Sequence, residues 1–233
     1  MEKCLLSIDW DYFIYSPKYS CNSYLENKKS LIDLWYKRYI QAKARGEDIQ
    51  KAFYISPELY TFWSRIKKYF KFSKNTKVYV SDSHAMSYKI AEENNCKSVY
   101  LFDYHSDLGY GGLLSLNFDV NCSNWLGKLL KDEHIKAAYI FYSPYTKEKP
   151  EDFKPMNDIY NIRYCKTYDL SKSVSAAAVH ICRSGAWTPP WYDNRFIQFV
   201  KALGLSYKVV NCPERKWDTA SLSLSDKINY LLA

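Results

Sequence analysis

Three short stretches of this sequence combine carboxylate and imidazole side chains at spacings that suit metal binding. The strongest reads SVYLFDYHSDLGYGG over residues 98–112, where His105 stands between Asp103 and Asp107 at every second position. In extended backbone, this spacing directs all three side chains to the same side. Three such donors are costly to bury without a cation, and carboxylates with an imidazole suit divalent manganese, iron or zinc. The triplet therefore predicts a metal site.

Two further stretches offer the same kinds of ligand. Asp9 and Asp11 form an Asp-x-Asp pair near the N-terminus, and His84 follows Asp82 in the stretch VYVSDSH. With the triplet, these residues supply six donors, enough for two metal ions that share a hydroxide in metal-assisted hydrolysis. Any one of them alone would more often be a cap, a turn former or a surface group, so the prediction depends on their convergence.

The strands and helices that must position these residues can be predicted from hydrophobic runs. Six runs rich in strand-forming residues span 3–9, 77–82, 98–103, 137–142, 176–182 and 206–211. Helical patterns span 56–70, 85–94, 123–131, 191–203 and 225–232. This alternation predicts an α/β fold, a three-layer sandwich with a mainly parallel central sheet. Since parallel sheets carry functional groups beyond the carboxyl ends of their strands, Asp9, His84 and Asp103 are expected at one edge.

Composition and charge narrow the class of protein. With 47% hydrophobic residues and no break in composition, the 233 residues predict a single domain over 1–233. Seven cysteines, an odd number without a CxxC pair, favour reduced thiols over a disulfide framework or a zinc ribbon. The apolar run before Asp9 is too short for a signal peptide, and no stretch is long enough for a membrane span, so a cytoplasmic protein is expected.

The net charge of +8 does not by itself identify a partner. Lysines are spread along the chain, and the densest basic cluster, at 65–77, is typical of the solvated face of a helix. No nucleic-acid or membrane partner is therefore expected, and the oligomeric state is not predicted. Phosphate-loop, dinucleotide-binding and G-x-S-x-G motifs are absent from the sequence.

The stretches SDSH, DYHSD and DWD resemble the metal-ligand segments of the ureohydrolase superfamily, which comprises arginases, agmatinases and deacetylase-like hydrolases. A closer resemblance is to the peptide arginases. It is carried by SIDWDYF, DYHSD, the pair at 124–125 and ICRSGAWTPPW. That resemblance implies a compact arginase-like fold and hydrolysis of arginine side chains within a ribosomally synthesised precursor peptide, giving ornithine and urea. It also implies two Mn²⁺ ions per chain, bound by Asp9, Asp11, His84, Asp103, His105 and Asp107.

The sequence departs from ordinary arginases in the order of its ligands. Their Asp-x-Asp pair follows the triplet strand, whereas Asp9 and Asp11 precede it. The strand in the usual place offers His180 and Cys182 instead. Leu126 occupies the position of the arginase proton-shuttle histidine, which fits a site that no longer grips a free amino acid. His180 is a candidate for the missing acid or base, with a core histidine as the alternative.

The resemblance also implies residues that handle the substrate. Asp107 would pass a proton to the departing amine, and Asn124, Trp125 and Trp187 would contact the peptide. A valine stands where arginases have the glutamate that pairs with the guanidinium. A planar guanidinium needs a carboxylate placed for paired hydrogen bonds, for which the first candidate is Glu214 and the second is Asp218.

Two other functions are compatible with the sequence. One is another metal-dependent amide or amidine hydrolase of the arginase and deacetylase fold, although deacetylases generally use histidine pairs near a single zinc, and this chain has no His-His pair. The other is a non-enzymatic basic binding module, which predicts that Asp103 and Asp107 tolerate alanine. Manganese is favoured over iron or zinc by oxygen-rich ligands and by the resemblance.

Overall fold

A computed structural model describes residues 3–19, 31–166, 170 and 174–232. Its central sheet has seven parallel strands in the order β7-β6-β5-β1-β8-β4-β9. These strands are β1 Lys3–Asp9, β4 Phe70–Ser81, β5 Ser98–Asp103, β6 Ala137–Tyr142, β7 Ile162–Tyr164, β8 Val174–Cys182 and β9 Lys208–Val210. A separate antiparallel pair comprises β2 Ile14–Tyr15 and β3 Tyr54–Ile55. The predicted α/β class with a mainly parallel sheet is confirmed.

Seven α-helices lie in the described part of the chain. They are α1 Leu31–Ala44, α2 Phe62–Tyr69, α3 Met86–Glu93, α4 Trp125–Lys131, α5 Lys154–Asn157, α6 Asp193–Ala202 and α7 Leu224–Leu232. The predicted helix from Ser56 is divided, because Ser56 caps a short 3₁₀ turn at Pro57–Tyr60 before α2 begins. Three predicted strands, β1, β5 and β6, have the expected bounds. The elements that were not predicted are α1, α5, β2, β3 and β7.

Successive side chains along each strand point to opposite faces of the sheet, and they form one hydrophobic core on each face. In β5, Tyr100 and Phe102 face the layer that contains α1, α2 and α6. The intervening Val99 and Leu101 face the layer that contains α3, α4 and α5. Each buried aromatic or branched side chain contributes about 1.5–3 kcal/mol of transfer free energy, which holds the three layers together.

The order of the strands creates a crevice at one edge of the sheet. After β1 the chain crosses the α1 and α2 layer towards β4, whereas after β5 it crosses the α4 layer in the opposite direction, towards β6. Neighbouring parallel strands whose connections diverge leave a crevice beyond their carboxyl ends. Asp9 ends β1 and Asp103 ends β5, so both lie at this position.

Two further features of the described residues concern the cysteines and the helices. Within them, no two cysteines form a disulfide; Cys21 lies outside the described ranges. No helix among the residues searched combines the length and apolar composition that crossing a membrane requires.

Candidate metal centre

Three buried side chains from different parts of the chain meet at the crevice between β1 and β5. Asp9 and Asp103 come from the ends of these strands, and His84 comes from the turn after β4. Their ligand atoms all lie within 4.8 Å of one another. This first group offers two carboxylate oxygens and one ring nitrogen to a cation.

The ring nitrogen Nδ1 of His84 faces three carboxylates. It lies 3.2 Å from Asp9 Oδ2, 3.0 Å from Asp103 Oδ2 and 2.9 Å from Asp107 Oδ2. Within the described part of the chain, both this nitrogen and Asp103 Oδ2 are buried without a well-directed hydrogen bond. Buried polar atoms without a partner are costly, and a cation would satisfy both of them. The geometry of the first group therefore fits a metal ion.

A second group lies beside the first and shares Asp103 with it. Asp11, Asp103 and His105 also have ligand atoms within 4.8 Å of one another. Nδ1 of His105 lies 3.1 Å from Asp11 Oδ2 and 3.6 Å from Asp103 Oδ1. Asp103 thus directs one oxygen towards each histidine and belongs to both groups.

Backbone amides orient all three aspartates of these groups in the same way. The N–H of Asp11 donates to Asp9 Oδ1 at 3.0 Å, and the N–H of His105 donates to Asp103 Oδ1 at 2.8 Å. The N–H of Tyr104 donates to Asp11 Oδ1 at 3.3 Å. Each aspartate therefore has Oδ1 anchored by the backbone while Oδ2 faces a histidine.

The titration of the cluster is consistent with a cation site. Burial, followed by repulsion from neighbouring carboxylates, raises the pKa of Asp9, Asp11 and Asp103. Burial opposes protonation of His84 and His105, but the surrounding carboxylates hold the pKa of both rings well above the usual value. Without a cation the cluster therefore retains protons, and bound divalent cations would displace them.

The Asp-x-His-x-Asp triplet reaches the site through a loop and not through extended backbone as predicted. Strand β5 ends at Asp103, and Asp107 adopts a left-handed conformation with φ of 53°. The prediction of extended backbone through the triplet is therefore wrong beyond Asp103. His105 turns towards Asp11, whereas Asp107 turns towards His84, so the loop distributes the triplet between the two groups.

Asp107 is fixed by the start of α4. Nε1 of Trp125 donates to Asp107 Oδ2 at 2.5 Å, and the N–H groups of Leu126 and Gly127 donate to the Asp107 carbonyl at 3.1 and 3.3 Å. The Trp125 ring also packs against His84, with centroids 4.9 Å apart. Trp125, predicted to contact substrate, is fully buried and supports Asp107 and His84.

A segment after β8 supports Asp9 and was not predicted to do so. Ser184, which has a positive φ of 50°, donates a hydrogen bond to Asp9 Oδ2. Its neighbour Arg183 forms paired hydrogen bonds of 2.9 and 2.8 Å with the two oxygens of Asp82. Asp82 therefore anchors Arg183 and Gly185 rather than joining either group of potential ligands. The sequence signal was a charged residue directly after an apolar strand, since a buried arginine needs a carboxylate partner.

Glu148 is a further acidic residue near the triplet. It accepts hydrogen bonds from the N–H of Ser106 at 2.8 Å and from the hydroxyl of Tyr110 at 2.5 Å. Burial raises the pKa of Glu148, an effect that the Tyr110 hydrogen bond opposes. Its carboxylate thus stabilises the loop that carries His105 and Asp107. No spacing pattern in the stretch around 148 would have identified it.

A cavity of about 380 Å³ opens beside the second group of potential ligands. Asp11 and His105 lie in its wall, Trp187 is 6.5 Å from the His105 ring between centroids, and Lys147 is exposed at its edge. Most of the remaining wall is aromatic, supplied by Tyr15, Tyr19, Phe53, Tyr104 and Tyr145. The volume lies in the range of small-ligand pockets.

The remaining predicted site residues lie outside the two groups. Asn124 is buried, and its side chain binds the backbone of residues 115, 119 and 121. Glu214 and Asp218 are exposed and do not line the cavity; the Asp218 carboxylate accepts hydrogen bonds from the N–H groups of residues 220 and 221. His180 is fully buried and hydrogen-bonds to two serines. Their predicted roles in binding or catalysis stay predictions.

Comparison of the chain with protein-family models, with curated proteins and with solved structures found no match.

Proposed function

We propose that this chain is a metal-dependent hydrolase that cleaves the guanidinium group of arginine side chains within a peptide. The carrying observation is the position of Asp103, whose two oxygens face His84 and His105 in two adjoining groups of potential ligands. The donor set of carboxylates and imidazoles suits Mn²⁺, with iron and zinc as alternatives. Asp9, His84 and Asp103 would hold one ion, and Asp11, Asp103 and His105 the other.

The reaction consumes one water molecule per arginine and requires no other reactant. The bond between the guanidinium carbon and the side-chain nitrogen breaks, the nitrogen stays on the peptide as the amine of ornithine, and urea leaves. When bound, two divalent cations would supply Lewis-acid activation of water and compensate the negative charge of the carboxylates. Asp107, held through Oδ2 by Trp125, is the residue that delivers a proton to the departing amine.

The wall of the cavity suits an arginine side chain. Guanidinium groups stack on aromatic rings and pair with carboxylates, and the cavity offers Trp187 and several tyrosines close to Asp11. Its edge is open, since Pro17 and Lys147 are both exposed and line it. An arginine that remains attached to a peptide chain can therefore enter while the backbone stays outside.

The proposal is tested by peptide mass and urea release. We expect the protein, stripped of metal and reconstituted with Mn²⁺, to reduce the mass of an arginine-containing peptide by about 42 Da per arginine processed, with stoichiometric urea. Urea must be assayed as well, because removal of an acetyl group changes peptide mass by nearly the same amount. Free arginine is assayed in parallel, since it distinguishes a peptide enzyme from an ordinary arginase.

The matched control is the same peptide with lysine in place of arginine, which should be unchanged. Chelation of Mn²⁺ should stop the reaction, and readdition should restore it. Two bound ions without urea release from any arginine peptide would contradict the substrate and leave a hydrolase of another amide or amidine. A chain that binds no divalent cation would contradict the metal centre itself.

Trp187 gives a separate test of substrate binding. We expect Trp187→Ala to raise KM for the peptide by about 5- to 30-fold, because a cation–π contact contributes about 1–2 kcal/mol when partly desolvated. The number of bound metal ions should not change, since Trp187 belongs to neither ligand group. Tyr60→Ala, at a tyrosine that is 71% exposed and outside the cavity, is the control. An unchanged KM for Trp187→Ala would exclude stacking at this position.

A further inference from the structure

A buried chain of hydrogen bonds continues inward from the metal centre. It joins His84 to the carbonyl of Ser83 through four intervening side chains, those of Ser7, Ser87, His180 and Ser81. Each of these four side chains belongs to a fully buried residue. Because these side chains have no exposed surface and each has two partners in the chain, their protons are donated within the chain.

The inner end of the chain fixes the direction of its first two bonds. Ser81 Oγ donates to the carbonyl oxygen of Ser83 at 2.8 Å, and a carbonyl can only accept. A hydroxyl has one proton, so Ser81 must accept from His180 Nε2, which lies 2.8 Å away. His180 therefore carries a proton on Nε2.

His180 carries no second proton, and this determines the next bond. Among the described residues, no carboxylate forms an ion pair with its ring. The ring is fully buried, and a charged imidazolium without a carboxylate partner is costly to bury. Nδ1 of His180 is therefore an acceptor, and Ser87 Oγ, 2.6 Å away, donates to it.

Ser87 and Ser7 continue the chain in the same direction, outward to His84. Ser87 has used its proton, so it accepts from Ser7 Oγ at 2.8 Å. Ser7 has then used its own proton, so it accepts from His84 Nε2 at 2.8 Å. The proton of His84 is thereby held on Nε2, and Nδ1 is the nitrogen that faces Asp9, Asp103 and Asp107.

We infer that this one-directional chain makes His180 a positioning residue, which sets the tautomer of His84 and thereby presents the Nδ1 lone pair to a cation. The inference rests on the proposed metal centre and deepens it. Hydrogen bonds of this kind on the far nitrogen of a ligating histidine fix its ring and raise its affinity for metal. The hydrogen bonds that link His180 to His84 run through Ser87 and Ser7, and the two rings also pack against each other, with centroids 5.8 Å apart.

The direction of the chain is measurable by NMR of protein labelled with ¹⁵N at histidine. The sequence has only four histidines, and the partly exposed His134 serves as an internal reference. Zn²⁺ is the probe because it is diamagnetic. We expect His180 to be neutral with its proton on Nε2, with or without Zn²⁺. In the Zn²⁺-loaded protein, we expect His84 to carry its proton on Nε2 as well.

Two variants of His180 separate positioning from packing. His180→Leu removes the acceptor of Ser87, so the chain can reverse; we expect Mn²⁺ affinity to fall by about 10- to 100-fold and the His84 proton to leave Nε2. His180→Asn keeps an acceptor near the position of Nδ1, and we expect it to restore most of the affinity. Ser98→Ala, at a buried serine at the opposite end of the sheet, is the matched control and should bind Mn²⁺ as the parent does.

The outcomes distinguish this inference from the proposed function. A proton on Nδ1 of His180, or His180→Leu with unchanged Mn²⁺ affinity and an unchanged His84 signal, would overturn the inference. A chain that binds neither Zn²⁺ nor Mn²⁺ but keeps the proton of His180 on Nε2 would overturn the metal centre and support the direction of the hydrogen bonds. Binding of metal with both Nε2 protons in place supports both.

Discussion

Asp103→Asn is expected to abolish urea release and to prevent the binding of two metal ions. Asp103 is the one residue common to both ligand groups, so replacing its carboxylate weakens both at once. We expect hydrolysis to fall at least about 1000-fold, which corresponds to about 4 kcal/mol of transition-state stabilisation. Peptide mass spectrometry measures the first effect, and metal analysis of the purified variant measures the second.

The same variant should leave the metal-free fold intact. Burial and repulsion raise the pKa of Asp103, so folding disfavours the charged form of this carboxyl, and asparagine carries no charge. We therefore expect Asp103→Asn without metal to unfold at the parent's temperature or above it. With 1 mM Mn²⁺ and a Kd of about 1 μM, the parent should gain about 4 kcal/mol, or about 8–16 °C in Tm, and the variant should not.

The control for this comparison is Asp158→Asn, an exposed aspartate that belongs to neither ligand group. It should retain activity, metal content and the Mn²⁺-dependent rise in Tm. If Asp103→Asn bound two ions and released urea at the parent's rate, the assignment of a shared carboxylate would be wrong. If Asp103→Asn is folded but inactive, general unfolding is excluded as the cause of the lost activity.

Arg183→Ala is expected to cause the largest loss of stability. The Arg183 guanidinium is buried, forms two hydrogen bonds with Asp82, contacts Asp193 Oδ2 at 3.2 Å and donates to the Pro213 carbonyl at 2.7 Å. Removing it leaves the Asp82 charge buried without its cation, which costs about 3–5 kcal/mol. For a chain of this size, that corresponds to a fall in Tm of about 6–20 °C, measured by calorimetry.

Arg183→Ala should also weaken the metal centre. Asp82 accepts a hydrogen bond from the N–H of Gly185, so its displacement disturbs residues 183–190 and the contact of Ser184 with Asp9. Arg195→Ala, an exposed arginine on α6, should change Tm by less than about 1 °C and is the control. The double variant Asp82→Leu with Arg183→Met, which replaces both partners, should recover part of the lost Tm. A parent-like Tm for Arg183→Ala would contradict the structural role of this pair.

The candidate ligands could be identified from the sequence because each follows a recognisable strand. The runs at 3–9 and 98–103 are mostly apolar, as is typical of strands buried on both faces, and each ends in the aspartate that forms part of the site. The alternation of such runs with helical patterns also predicted the α/β class. These features are local, so a single sequence contains them.

Which of these residues meet was decided only by the tertiary structure. Strand order depends on how distant segments pack, so the sequence did not indicate that β1 lies between β5 and β8. The left-handed turn at Asp107 separates its side chain from that of His105. The pairing of Asp82 with Arg183, and the chain from His84 to His180, join residues about a hundred positions apart. The sequence determined the ligand types and the strand ends; long-range packing determined the two groups and their buried supports, because hydrogen-bond partners across a sheet leave no periodic signal along the chain.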